Sequence, residues 1–539
     1  MNRITFSSEP FTSWMQVRGQ LKQLGPARVL RILLEMVHHH MRANQGVFVG
    51  DAVHNFINHA IVVRVLLRQI IDGNLDLAQP VALLSDAEKR VFLSVLKQLN
   101  DKANTESSAS PSVADMVEKA WRLTLRHRGR SRSPKFEIAR AWILLRRKWK
   151  EKRESILSMY DAKIQIPLSV AFDSLEHGLV LNFALYHGSG LVSDVGRAFE
   201  QVSFAAQLDS LLDWYVPPAD AVVGDWSDIE SFPGVGLSSV FSENPIVRIG
   251  KALIAPDPSL LLADLEDRMV RRALRNFVEE GAKREEIART MLGYVFESYV
   301  QDLVAACCAF STDEEYIEEF EVGAGRDSPE AFAKGPVLTI FEAKTTRFMR
   351  PFDAHGGLSD FLSWLRKIAG ERPGSRGALE QGARFLSLWK SSSTEIVSRL
   401  GAWDPSSPFY YVIVSPEDPP FVTHWSEFRA QLWRPSLEPG ARELDARTIF
   451  MSIRDLEIIL CTLQWLKDEG RPGSIHSLLG EWLQQWNSPG LRISHDRVKS
   501  GIGDFLLGKS PAVASVMPAL LKSAFDEFMD QTHGLAFTR

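Results

Sequence analysis

Cysteine is scarce in this chain: Cys307, Cys308 and Cys461 are all there is among 539 residues. Three thiols cannot build a disulfide framework, which points to a reducing compartment and to a fold held by its apolar cores. The adjacent pair Cys307-Cys308 lies in an apolar helical run and is expected to be packing. Long apolar runs are missing as well. No stretch of about 18 apolar residues occurs, so no membrane-spanning helix is predicted. The opening Met-Asn-Arg lacks the continuous apolar core of a signal peptide, and the expected location is cytoplasmic. Nor is there an excess of positive charge. The net charge of −5 gives no global nucleic-acid signal, so any basic surface must be local. The sequence has no P-loop, no dinucleotide-binding glycine fingerprint and no zincin helix motif. Gly188-Ser189-Gly190 lacks the context that would make it one. A step driven by nucleotide hydrolysis would need another subunit. No repeat of fixed period is present.

What remains is ordinary globular composition, 45% apolar and 24% charged, in a chain long enough for two to four domains. Residues 1–160 read as helical. Apolar spacing near 3.6 recurs within 15–72 (Val29, Leu30, Leu33, Leu34, Val37), and further helices fit 86–100, 112–126 and 134–159. Pro134 suits a first helical turn. Residues 161–256 read as a mixed region in which short apolar runs (165–170, 179–185, 246–255) are broken by Pro, Gly and Asp, with a loop or linker over 217–245. Residues 257–308 are helical in two segments parted near Gly281. Strand-like runs follow at 316–322, 336–345, 408–415 and 447–452, with helices between them at 357–370, 376–400, 421–433 and 454–467. That order is α/β. The segment 257–467 is taken as one domain, and 468–539 as a helical tail.

The chemistry concentrates in residues 336–344, Pro-Val-Leu-Thr-Ile-Phe-Glu-Ala-Lys. On a strand, side chains alternate between faces, so Leu338, Ile340, Glu342 and Lys344 share one face. A buried strand does not end in two charges unless they meet a ligand or each other. A carboxylate is a hard ligand for Mg²⁺, and an ammonium beside it can stabilise an attacking hydroxide or a charged transition state. The bland alternative is an ion pair at a sheet edge. Thr345, Thr346 and Arg347 follow directly and can donate to phosphate oxygens.

The context of this Glu-x-Lys strand resembles the PD-(D/E)XK nuclease superfamily over roughly residues 285–465. A helix with Glu297 precedes it, an acidic turn (Gly325-Arg326-Asp327-Ser328-Pro329-Glu330) lies just upstream, and a helix with Gln381 follows. The resemblance implies a restriction-endonuclease-like α/β core and a nuclease using Mg²⁺ or Mn²⁺, acting on nucleic acid, with DNA favoured and RNA left open, in a setting such as prokaryotic restriction or anti-phage defence. It implies Glu342 as metal ligand and Lys344 as catalytic. A second carboxylate comes from the upstream turn, where Glu330 follows Pro329 in place of the usual aspartate and Asp327 is the rival. The Ala343 carbonyl is a further candidate ligand. Glu297 helps hold metal or water, and Gln381 stands near the active site, with Phe385 where the family's RecB-type members carry tyrosine. Partner proteins of a defence system and a homo-oligomer are both compatible, since two nicks on a duplex usually need two active sites.

A second feature is the basic segment 122–153, with thirteen lysines and arginines against Glu137 and Glu151. Arg126, Arg128, Arg130 and Arg132 alternate in a Gly/Ser-containing loop. Arg146, Arg147, Lys148, Lys150 and Lys152 lie on a helix with Trp142 and Trp149. Such clusters neutralise phosphates, and the tryptophans either stack on bases or pack the helix. His38, His39 and His40, with His54 and His59, do not make a metal site, because consecutive residues on a helix point about 100° apart. Two readings compete with a nuclease: a non-catalytic nucleic-acid-binding or assembly protein on a degenerate nuclease fold, and a helical scaffold.

Overall fold

The computed structural model describes residues 11–43, 59–75, 77, 82–104, 134–230, 241, 244–256, 259–262, 265–279, 283–322, 328–345, 377–416, 444–445, 447–486, 501–533 and 535. The chain divides into two compact units, one of residues 1–116, 122–288 and 523–539, the other of 117–121 and 289–522.

The first unit is mainly helical. It opens with α1 (Trp14–Leu24), α2 (Pro26–Ala43), α3 (His59–Gly73) and α4 (Asp86–Asn104). The 3.6-residue spacing places Val29, Leu30, Leu33 and Leu34 in one core with Val17, Leu66, Ile70 and Val95. After Pro134 comes α5 (Pro134–Trp142), which passes through a π-helical turn (Ile143–Lys148) into α6 (Trp149–Leu157). Then follow α7 (Ala162–Asp173), α8 (Leu175–His187), α9 (Leu208–Tyr215) and α10 (Leu265–Phe277). The apolar runs 165–170 and 179–185, which suggested strands, are helical. From Gly178 to Tyr186 every residue of α8 is buried, and a helix buried on all sides loses the periodicity that would distinguish it from a strand. Asn182 makes that burial tolerable: its amide nitrogen donates to the Gly178 carbonyl at 2.7 Å and to the Tyr215 hydroxyl at 2.6 Å. The run 246–255 does form strands. β2 (Val247–Ile249) and β3 (Ala252–Ile254) join β1 (Leu191–Val192) in an antiparallel sheet of order β1-β3-β2. The terminal helix Ala519–Gln531 brings Phe528 edge-on to Trp142 and Phe183, with ring centres 5.7 and 5.1 Å apart.

The second unit carries the site. Most of the 27-residue α11 (Arg284–Phe310) leads into β4 (Glu315–Glu318), β5 (Ala331–Lys334) and β6 (Leu338–Ala343). After β6 come α12 (Ala378–Lys390), α13 (Thr394–Leu400) and β7 (Phe409–Ser415). β8 (Thr448–Ser452), α14 (Ile453–Asp468), α15 (Ile475–Trp486) and α16 (Ile502–Lys509) complete it. The five strands form one sheet in sequence order, antiparallel from β4 to β6 and parallel from β6 to β8. The architecture is α/β, with a mainly helical region preceding a mixed sheet. The central strands are the most apolar, as burial on both faces requires: from Thr339 to Ala343 every residue of β6 is buried.

The strand β5 has no counterpart in the sequence reading. Its Ala-Phe-Ala-Lys composition is poor in β-branched residues, and small Ala331 and Ala333 lie buried between neighbours with Phe332. The helices expected at 112–126, 357–370 and 421–433 fall outside the described residues. Cys307, Cys308 and Cys461 are buried free thiols, and burial pushes the Cys308 thiol up to about 12, as suits packing residues. Among the described residues, no helix is long and apolar enough to cross a membrane.

Candidate active site

The parallel ladder holds β6 straight through its charged end. Glu342 pairs with Ile413 and Ala343 with Val414, and the Lys344 amide still donates to the Val414 carbonyl at 2.9 Å. With the strand extended to that point, Glu342 and Lys344 project from the same face. Glu342 is 3% exposed. Its Oε1 accepts a hydrogen bond from Lys344 Nζ at 2.5 Å, and the same ammonium donates to Gln381 Oε1 on α12 at 2.8 Å.

Glu330 arrives from the neighbouring strand. The β5–β6 register pairs Ala331 with Phe341, so one residue earlier Glu330 comes level with Glu342. Residues directly opposite on antiparallel strands share a face. Glu330 is 8% exposed, and its Oε2 accepts the Ala343 amide at 2.8 Å. Burial pushes its carboxyl well above the usual range. Glu342 adds to this, and Lys344 and the Ala343 amide only partly offset it. Glu297, on α11, is half-buried, and burial raises its pKa while Lys344 lowers it and Glu342 raises it. Burial disfavours the Lys344 charge, yet Glu342, Glu330 and Glu297 outweigh that and hold its pKa above the ordinary value. Three carboxyl groups thus face one ammonium.

Two residues that the sequence reading passed over complete the arrangement. Tyr411, on β7, is wholly buried; its hydroxyl lies 2.7 Å from the Ala378 carbonyl and 3.3 Å from Glu342 Oε2. Gly382, next to Gln381, lets α12 come this close, since a Cβ there would stand 2.5 Å from Tyr411 Cζ and 2.7 Å from its oxygen. A signal for Tyr411 did exist: a tyrosine inside the apolar run Phe-Tyr-Tyr-Val-Ile-Val must bury its hydroxyl with a partner.

The donor set suits a hard divalent cation. Its acidic groups are carboxyls, which are hard oxygen ligands, and they are largely buried. The backbone of Ala343 does face the site, through its amide rather than a shown carbonyl contact. Asp327, Thr346 and Arg347 lie outside the described residues. Comparison with known proteins returned no matching family model, no matching curated protein and no matching solved structure. The site therefore has to be judged on its own chemistry.

One other group deserves the same test. Among the described residues, Asp313, Glu314 and His476 bring their ligand atoms within 4.8 Å of one another, which the three glutamates of the sheet site do not. Glu314, however, is already engaged. Its oxygens accept the Ile475 amide at 2.7 Å, the His476 amide at 2.9 Å, the Ser311 hydroxyl at 2.9 Å and His476 Nδ1 at 3.0 Å. It is a buried cap for the first amides of α15. Gly335 leaves room for it, since a Cβ there would lie 2.9 Å from Glu314 Cγ. Glu314→Ala is expected to cost about 3 kcal/mol, because it strands buried donors. Urea denaturation measures this, and an unchanged midpoint would refute the capping role.

The basic helix is matched internally. Arg146 pairs with Glu176 at 2.9 Å, Arg147 with Glu527 at 2.8 Å, and Lys148, itself buried, with Glu151 at 2.8 Å. Arg153 reaches Asp173 at 3.2 Å, and Lys152 reaches Glu151 at 3.4 Å. Trp142 and Trp149 are only 2% and 1% exposed. They pack the helix and are not free to stack on bases; Trp142 Nε1 donates to Glu527 at 2.7 Å. Lys150 stays exposed, whereas Arg126, Arg128, Arg130 and Arg132 lie outside the described residues. The acidic partners Glu176 and Glu527 are distant in sequence, so a local count of charges could not reveal them.

Proposed function

We propose that this site hydrolyses phosphodiester bonds in nucleic acid, with DNA favoured over RNA, using Mg²⁺ or Mn²⁺. The observation that carries the reading is the convergence of Glu342, Lys344, Glu330 and Gln381 from β6, β5 and α12 on one buried, electronegative point. The order of elements around it, a helix, three antiparallel strands, a helical crossover and a parallel strand, supports the resemblance to PD-(D/E)XK nucleases.

In this reading Glu342 and Glu330 hold the cation and Glu297 adds charge or orients water. A bound Mg²⁺ supplies Lewis-acid stabilisation of the phosphate and an acidified water. Lys344 then carries a fixed positive charge that the chain itself contributes. Gln381 and Glu342 fix the position of its ammonium, so no reorganisation is needed when negative charge grows on the phosphate or its nucleophile. Close packing around β6 keeps bulk water from screening that charge. A setting in restriction or anti-phage defence rests on analogy alone. The competing reading, a binding protein without activity, draws on Glu330, which stands where aspartate is usual and already accepts the Ala343 amide.

The test is incubation of the purified chain with supercoiled plasmid, linear duplex, single-stranded DNA and RNA, in Mg²⁺, Mn²⁺, Ca²⁺ or EDTA. Cleavage is expected in Mg²⁺ and Mn²⁺, little in Ca²⁺, whose larger size relaxes the geometry, and none in EDTA. Undiminished cleavage in EDTA would rule this mechanism out, and no cleavage of any substrate would favour the binding protein.

A further inference from the structure

Glu342 is gripped from two sides, and both grips lead back to one helix. Its Oε1 takes the Lys344 ammonium, which Gln381 holds in turn. Its Oε2 faces the Tyr411 hydroxyl, which reaches the Ala378 carbonyl. Ala378 and Gln381 are three residues apart on α12 and so lie on one helix face. A phenol has a single proton to donate. The 2.7 Å contact to Ala378 and the 3.3 Å contact to Glu342 therefore cannot both be full hydrogen bonds donated at once. Oε1 is committed to Lys344, whereas Oε2 has only the longer share of a proton that lies nearer the Ala378 carbonyl.

Resting on the nuclease reading above, the geometry points to Tyr411 as a positioning residue: its proton, shared between Glu342 Oε2 and the nearer Ala378 carbonyl, steadies Oε2 for the divalent cation and passes wholly to the carbonyl when the cation binds. Three observations agree with this. Tyr411 is wholly buried, so water does not substitute for its hydroxyl. The alternative acceptor is a backbone carbonyl at the start of α12, where it does not compete for the cation. Gly382 removes the one Cβ that would push the ring away. Tyr411 itself touches neither substrate nor cation in this scheme and acts through Glu342.

The experiment is calorimetric titration of the full chain with Mn²⁺, alongside thermal melting and plasmid cleavage over a range of Mn²⁺ concentrations. Tyr411→Phe keeps the ring and removes the hydroxyl. It is expected to weaken Mn²⁺ binding about tenfold, the usual scale for loss of a ligand's hydrogen-bonding partner. Its cleavage should recover as Mn²⁺ is raised, which a general loss of structure would not show. Gly382→Ala, which displaces the ring by another route, should weaken Mn²⁺ binding in the same direction and decides the matter should Tyr411→Phe melt early. Wild-type Mn²⁺ affinity in both variants, while the wild type binds and cleaves, would overturn the role of Tyr411 alone. Failure of the wild-type chain to bind Mn²⁺ or to cleave would overturn the nuclease reading, and this inference with it.

Discussion

Lys344→Met is expected to abolish detectable cleavage while leaving a folded chain that still binds Mn²⁺. Among the described residues, the Lys344 ammonium is the cation that acts on Glu342, Glu330 and Glu297. Loss of a preorganised group that stabilises developing charge lowers the chemical step on the order of 10²–10³-fold. The rate should fall equally under saturating and limiting substrate, because the interaction belongs to the transition state. Without cation the variant should also be less stable by roughly 2–4 kcal/mol, since Glu342 loses its buried counter-charge, and Mn²⁺ should restore much of that difference by binding the folded state. Glu342→Ala should likewise abolish cleavage, but by removing a ligand, so that Mn²⁺ binding goes with it. Single-turnover cleavage and Mn²⁺ titration separate the two variants. Wild-type rates in either one would sink the assignment.

The second large effect is a gain of stability at the cost of function. Glu330 has its pKa raised by burial first and by Glu342 second. A raised carboxyl pKa means that the folded chain holds its proton more tightly than the unfolded one. The sign then follows: stability is highest below the unfolded value of about 4.3 and falls as pH rises from there through the folded pKa. In EDTA the wild-type chain should lose stability over that range. Glu330→Gln has no proton to lose at this position and should flatten that loss, melting higher than wild type at neutral pH. The same variant should bind Mn²⁺ more weakly and cleave poorly, a trade of activity for stability common at such sites. Melting curves from pH 4 to 8 with and without Mn²⁺ provide the check. An identical pH dependence in wild type and Glu330→Gln would mean that Glu330 carries no such strain.

The pair Glu342 and Lys344 was legible because strand alternation needs only local sequence, and an apolar run ending in two charges breaks the local rule. The α/β order of the second unit was legible for the same reason. Glu330 was foreseen as a turn residue after a proline; that it leads a strand level with Glu342 depends on the β5–β6 register, which no local pattern encodes. Tyr411 and Gly382 were missed because each matters only through the other, across a parallel crossover. For the basic helix the local pattern showed half of the arrangement. Its charges stood out locally, but Glu176 and Glu527, which answer them, come from elements far along the chain.

The parallel pairing of β6 with β7 has a consequence for when this chemistry first exists. The connection between them runs from Lys344 to Pro408 and includes α12, so β7 cannot seat until that whole stretch has been synthesised and its ends brought together. Such closure costs entropy before the pairing rewards it, and non-local parallel contacts form slowly. Glu342 meets Tyr411 only after that step, and Lys344 meets Gln381 only once α12 has been made. A nascent or cleaved chain ending soon after Lys344 would carry the Glu-x-Lys strand without the partners that orient it. Under the proposed function, competence arises late, as a property of the finished domain rather than of the growing chain.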